Sequence, residues 1–147
     1  MAAVNESGIL NLPCAAEAIK EGYCYKNSSG NMTKITSVAD VIVAIAVESS
    51  MDDEGAAKTL TAGQKMPFYL PGCGKVVKLA SVTGVTWNIG EAVFGGQTAD
   101  ADGCVNNDSS NSAVMIGHYY GPEAVATGAN GELIDVLLDC KVGEVGV

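Results

Sequence analysis

The side chains able to do chemistry are few and lie far apart. His118 is the sole histidine and sits between Gly117 and Tyr119 in an apolar run. One imidazole cannot build the usual multi-histidine metal cluster, and a cysteine–histidine nucleophilic pair needs a closeness that spacing does not give. A structural histidine is the plainer reading. Asp100, Asp102 and Asp108 around Gly103 place oxygen ligands as a calcium loop begins, but the third alternating ligand and the bidentate glutamate of an EF-hand are missing. Asp102-Gly103 therefore reads as a turn, and Asp52-Asp53-Glu54 as a solvated charge run. The five cysteines (Cys14, Cys24, Cys73, Cys104 and Cys140) are odd in number and nowhere in C-x-x-C spacing, which indicates neither a disulfide framework nor a zinc site. Buried, reduced thiols are expected. The glycines match neither a phosphate-cradling loop nor a dinucleotide fingerprint, and no serine stands in a G-x-S-x-G elbow. No catalytic, cofactor-binding or metal-ligating residue is assigned, no cofactor is expected, and the chain reads as non-enzymatic.

Whatever the chain does must then come from the shape and surface of its elements. At 147 residues it is one domain by size. It is 48% hydrophobic but only 5% aromatic, so the core must come from Val, Ile, Leu and Ala, which favours pleated sheet. All 8 basic residues are lysine and the net charge is -9, which argues against a nucleic-acid partner, since phosphate and base-edge recognition lean on arginine. No run approaches the ~18 apolar residues of a membrane span. The N-terminus lacks a basic start and an apolar h-region, so synthesis and folding in the cytoplasm are expected.

Residues 1–12 show no periodicity and read as a flexible N-terminal arm, with Val4, Ile9, Leu10 and Leu12 as its apolar points. Residues 13–140 read as a single β domain and residues 141–147 as a tail. Tyr23-Cys24-Tyr25, the turn at Asn27-Ser28-Ser29-Gly30 and residues 31–36 form a hairpin by their turn chemistry. Residues 38–47 are the most apolar run; with Val41, Val43, Ile45 and Val47 on one face and Ile42, Ala44 and Ala46 on the other, they predict a strand buried on both sides. Pro67 cannot donate to a ladder and predicts an edge position or a bulge for residues 63–70. Strands are also expected at residues 75–82, 85–89 (with Trp87), 90–94, 113–119 and 131–138. Beyond Asn130-Gly131, Ile134, Val136, Leu138 and Cys140 line a core face. Leu133, Asp135, Leu137 and Asp139 line the other, half leucine and half acidic, a surface suited to meeting a neighbour.

The chain divides near residues 72–74. Gly22 and Gly63 are 41 positions apart (63 less 22), as are Gly90 and Gly131 (131 less 90), and each pair brackets a hairpin, an apolar strand and a loop. Two related β units, 13–72 and 74–140, are one reading; identity between them is slight, and chance spacing stays open beside it.

Gly22-Tyr23-Cys24-Tyr25, the apolar residues 41–47 with Gly63, Gly90-Glu91-Ala92-Val93 with Asp102-Gly103, and Ala113-Val114-Met115-Ile116-Gly117 with residues 131–138 occur in an order that resembles the head decoration (capsid cement) proteins of tailed phages and related viruses. The resemblance implies an all-β fold, a compact β-barrel or β-tulip-like domain. It implies a structural role on the outer surface of the virion, as a homo-oligomer, a trimer, bound to the major capsid protein. The arm would then join capsid strands by strand addition, and the face of Leu133, Asp135, Leu137 and Asp139 would meet the capsid or a sister subunit. The rival expectation is a host- or glycan-binding surface module, for which Trp87 with Tyr119 and Tyr120 is the available aromatic cluster.

Overall fold

The computed structural model describes residues 8–47, 58–95, 102–109, 113–140 and 142. Among these the fold is all-β, with no helix. The strands are β1 (Ile9–Pro13), β2 (Ala18–Ile19), β3 (Cys24–Ser28), β4 (Asn31–Lys34), β5 (Ala44–Ala46), β6 (Lys58–Thr59), β7 (Lys65–Tyr69), β8 (Val76–Ser81), β9 (Thr86–Trp87), β10 (Ala92–Gly95), β11 (Val105–Asn106), β12 (Met115–Tyr119), β13 (Val125–Ala126) and β14 (Glu132–Leu137).

Strands β1 to β7 and β8 to β14 repeat one pairing scheme. The first sheet runs β1-β7-β5-β3-β4, and the second runs β8-β14-β12-β10-β11 and closes into a barrel by pairing β11 back to β8. The closing pair is parallel, Val105 with Ser81. The first sheet returns on itself at the matching place through the parallel bridge of Cys14 and Met32. The small ribbons match as well, β2 with β6 and β9 with β13. Registers agree pair for pair: Ile9 faces Tyr69 as Val76 faces Leu137, and Ile45 faces Tyr69 as His118 faces Leu137. Gly22 and Gly90 both have positive φ and donate to Ala46 O and Tyr119 O, while Gly63 and Gly131 donate to Cys14 O and Ser81 O. These are the two glycine pairs of equal spacing, and each holds an equivalent turn.

The modules share a core. Tyr25, Phe68, Met66, Leu60, Ile19, Ala44 and Ala46 pack inside the first, whereas Cys24, Ile35, Ile42 and Ile45 join the cluster of Trp87, Leu79, Val93, Val136 and Leu138 in the second. Side chains alternate along a strand, so β3 and β5 send Tyr25, Ala44 and Ala46 one way and Cys24 and Ile45 the other. That is why both faces of β5 are apolar. Backbone bonds cross the junction: Ala80 N to Gly22 O (2.9 Å), Gly103 N to Ile35 O (2.9 Å) and Val114 N to Val38 O (3.0 Å). The same contact cannot repeat at the far side of the first module. Pro13 stands where Ala80 stands and has no N–H, and the N–H of Gly30 is already capped by Asn27 Oδ1 at 2.9 Å.

Three expectations are corrected here. Residues 9–12 are not a free arm: Ile9, Leu10 and Leu12 pair with Tyr69, Phe68 and Met66 in β1. Their half-buried faces give little periodicity in sequence. The buried strand of residues 38–47 shrinks to Ala44–Ala46, because Asp40 folds the preceding residues by accepting the N–H groups of Thr36 and Ser37. Pro67 lies in an interior strand rather than at an edge. It faces Asn11 midway between the bonded pairs fixed by Leu70 N to Gly8 O and Cys14 N to Gln64 O, so the ladder to β1 makes no use of its missing N–H. On its other flank β5 pairs only with Phe68 and Tyr69.

Candidate functional surface on β8, β14 and β12

The alternation expected for residues 132–140 is present: Ile134, Val136, Leu138 and Cys140 are buried, while Leu133, Asp135, Leu137 and Asp139 point outward. Their cross-strand neighbours build a continuous outer face. Val76, 55% exposed, lies opposite Leu137; Lys78 lies opposite Asp135 and its Nζ sits 2.6 Å from Asp135 Oδ1. On the other flank His118 faces Leu137, and its Nδ1 lies 2.9 Å from Asp139 Oδ1. Leu133 is 40% exposed although its Cδ2 also lies against Gly22 of the first module. Beside it a shallow hollow of about 180 Å³ is lined by Tyr119, Pro122, Glu123, Val125, Leu133 and Asp135. The face is therefore apolar spots (Val76, Leu133, Leu137, Tyr120) separated by compensated charge. An exposed pair such as Lys78–Asp135 adds little stability, about 0–1 kcal/mol, but fixes a polar pattern that a partner must match.

His118, expected as a structural histidine within an apolar strand, projects from the outer face, with a third of its side chain exposed. Sequence placed it between apolar neighbours, but Asp139 reaches it only because β14 lies beside β12. Asp102-Gly103 is a turn, and its glycine lies at φ 83° against the Tyr23 ring of the first module, a packing role that turn chemistry alone does not reveal. Asp52-Asp53-Glu54, Asp100 and Val4 fall outside the described residues. The aromatic cluster is interior: Trp87 is fully buried and Tyr119 nearly so, with their rings 6.2 Å apart, and only Tyr120 of the three is exposed. Cys14, Cys24, Cys73 and Cys104 are free thiols, and Cys140 Sγ lies 3.6 Å from Asp139 Oδ1. Cys14, Cys24 and Cys104 are buried, and burial pushes all three thiols up, Cys14 to about 11. They are poor nucleophiles.

Comparison with protein families, with curated proteins and with solved structures returned no match for this chain.

Proposed function

We propose that the chain is a capsid decoration protein, a trimeric structural subunit that docks on the outside of a viral major capsid protein lattice and stabilises it. The observation that carries this reading is the outer face of β8, β14 and β12, where Leu133 and Val76 are exposed and Leu137 is half-buried around the Lys78–Asp135 pair. Exposed apolar area of this kind favours a protein partner. The resemblance in glycine and strand order supplies the identity of the partner, and the net charge of -9 disfavours a polyanion in its place. A β-tulip-like domain belongs to the same reading. Binding only to the assembled lattice stabilises that lattice by mass action, and several weak contacts per trimer add through multivalency. Residues 9–13 belong to a sheet, so strand addition falls to the residues before them, with Val4 as the apolar point. The glycan-binding alternative is weakened by the burial of Trp87 and Tyr119, which removes them as a stacking platform.

The test is to mix the purified protein with undecorated, expanded capsids. Saturable binding that raises the capsid melting temperature is expected, with loss of affinity in Leu133→Asp and Leu137→Asp variants that still fold. No binding, together with retention on a glycan array, overturns the reading. Deleting residues 1–7 leaves β1 intact and separates the arm from the face: unchanged lattice affinity would remove the arm from the proposal.

A further inference from the structure

Outside the apolar part of that face, His118, Asp139 and Cys140 bring three different ligating atoms within 4.8 Å of one another. The chain geometry explains why neighbours 139 and 140 serve one spot. Past the end of β14, Asp139 N turns back to Leu137 O at 3.1 Å, so the chain curls there and the exposed Asp139 and the buried Cys140 approach one point from its solvent side and its core side. His118 arrives from β12 with Nδ1 at 2.9 and 3.0 Å from the two Asp139 oxygens, and Cys140 Sγ lies 3.6 Å from Asp139 Oδ1.

We propose that these three side chains bind a zinc ion. Thiolate, imidazole and carboxylate together suit Zn²⁺ better than a hard cation, which prefers oxygen alone. Bonds of about 2.0–2.3 Å place tetrahedral ligands roughly 3.3–3.8 Å apart, so the cluster needs only small side-chain rotations. His118 and Asp139 are 33% and 38% exposed, which leaves an entry path and a fourth position for water, while Cys140 closes the site from the core side. The ion occupies the space between His118 Nδ1 and Asp139, and the neutral imidazole binds it as the tautomer whose single ring hydrogen sits on Nε2, the Nδ1 hydrogen having moved there through solvent. The Cys140 thiol loses its proton to solvent, and the two anionic ligands balance the dipositive charge. Bound there, zinc ties β12 to the chain leaving β14. The site is independent of the capsid reading and is tested without capsids.

Cobalt titration into the metal-free full chain is the test. The expected result is one equivalent bound, with a near-ultraviolet thiolate-to-cobalt absorption and four-coordinate visible bands that added Zn²⁺ abolishes. Cys140→Ser should lose the thiolate band, and His118→Gln and Asp139→Asn should each weaken binding about tenfold or more. Cys73→Ser, at the half-exposed thiol, should change nothing. Absence of the thiolate band, or a band that survives Cys140→Ser, overturns the proposal. Should Cys140→Ser not fold, unchanged affinity in both His118→Gln and Asp139→Asn overturns it equally.

Discussion

Trp87 donates its indole N–H to Ser81 Oγ at 2.9 Å with both side chains fully buried, and at the matching positions of the first module stand Ile19 and Cys14. One module satisfies the slot with a hydrogen-bonded polar pair and the other with an apolar pair, and either is consistent. A mixture is not. Ser81→Ala should strand the indole N–H and cost about 1–3 kcal/mol. Trp87→Phe should cost less in the Ser81→Ala background than in the native chain. A double-mutant cycle by urea unfolding should give a coupling of at least about 1 kcal/mol; strict additivity would show that the bond carries no weight.

Gly22 and Gly90 are equivalent turn residues in different surroundings. Both have positive φ, 81° and 85°, but a Cβ on Gly22 would come within 2.8 Å of Ala80 N and Leu133 Cδ2, whereas a Cβ on Gly90 meets nothing within 4 Å. Gly90→Ala should therefore cost only the left-handed backbone penalty, about 1–2 kcal/mol. Gly22→Ala should cost clearly more, about 3 kcal/mol or beyond, because it also pushes on the backbone bond that joins the modules. Thermal unfolding of the two variants compares them directly, and equal losses would contradict the described junction.

How much of this was legible depends on which forces are local. Turn glycines and the alternation of residues 132–140 are local, and both are visible in the chain. The packing inside each module is not. Tyr25 and Phe68 fill the first interior from β3 and β7, while Val93 and Val136 occupy those places in the second and Tyr119 fills it from β12, where the first has only Ala46. Conserving volume while moving the bulk between strands erases residue identity and keeps topology, so glycine spacing was the trace that survived. β1 has no local signal because its partner β7 lies 52 to 60 residues further along the chain (65 less 13 and 69 less 9). The His118–Asp139 contact is non-local in the same way, a product of β12–β14 pairing.

Tyr25 carries a buried hydroxyl for which there is no hydrogen-bond partner among the described residues, although its ring packs edge-on against Phe68 at 5.2 Å. Its favourable part is the ring; the oxygen adds an unmet desolvation cost. Tyr25→Phe should be neutral or stabilising by up to about 1–2 kcal/mol, measured by denaturant midpoint. A loss above about 1 kcal/mol would reveal a partner for that hydroxyl.

Cys73 is the single half-exposed thiol; the other four are buried. Alkylation of the folded chain near pH 8, followed by peptide mass spectrometry, should modify Cys73 first. Cys14, Cys24 and Cys104 should react only after denaturant is added, since burial raises all three above the ordinary thiol range. Early labelling of Cys24 would mean that the junction between modules opens in the native state.

Asp40 should make stability depend on acid. Burial by itself raises its pKa, but Lys26 Nζ at 2.9 Å and the N–H groups of Thr36 and Ser37 at 2.8 and 3.0 Å outweigh that and hold the carboxyl below its usual value. A depressed folded pKa means that the unfolded chain binds the proton more readily. The stabilisation is therefore complete above the unfolded value of about 3.9 and is lost as pH falls through the lower folded one. Asp40→Asn keeps an acceptor for the backbone but not the charge, so the native chain should lead it by about 0.5–1 kcal/mol near neutrality, the range of partly exposed ion pairs. That lead should shrink as pH drops below about 4 in urea unfolding, and it should shrink at high salt as well. A difference that holds constant from neutral to strongly acid pH would assign Asp40 a purely geometric part in folding the residues ahead of β5.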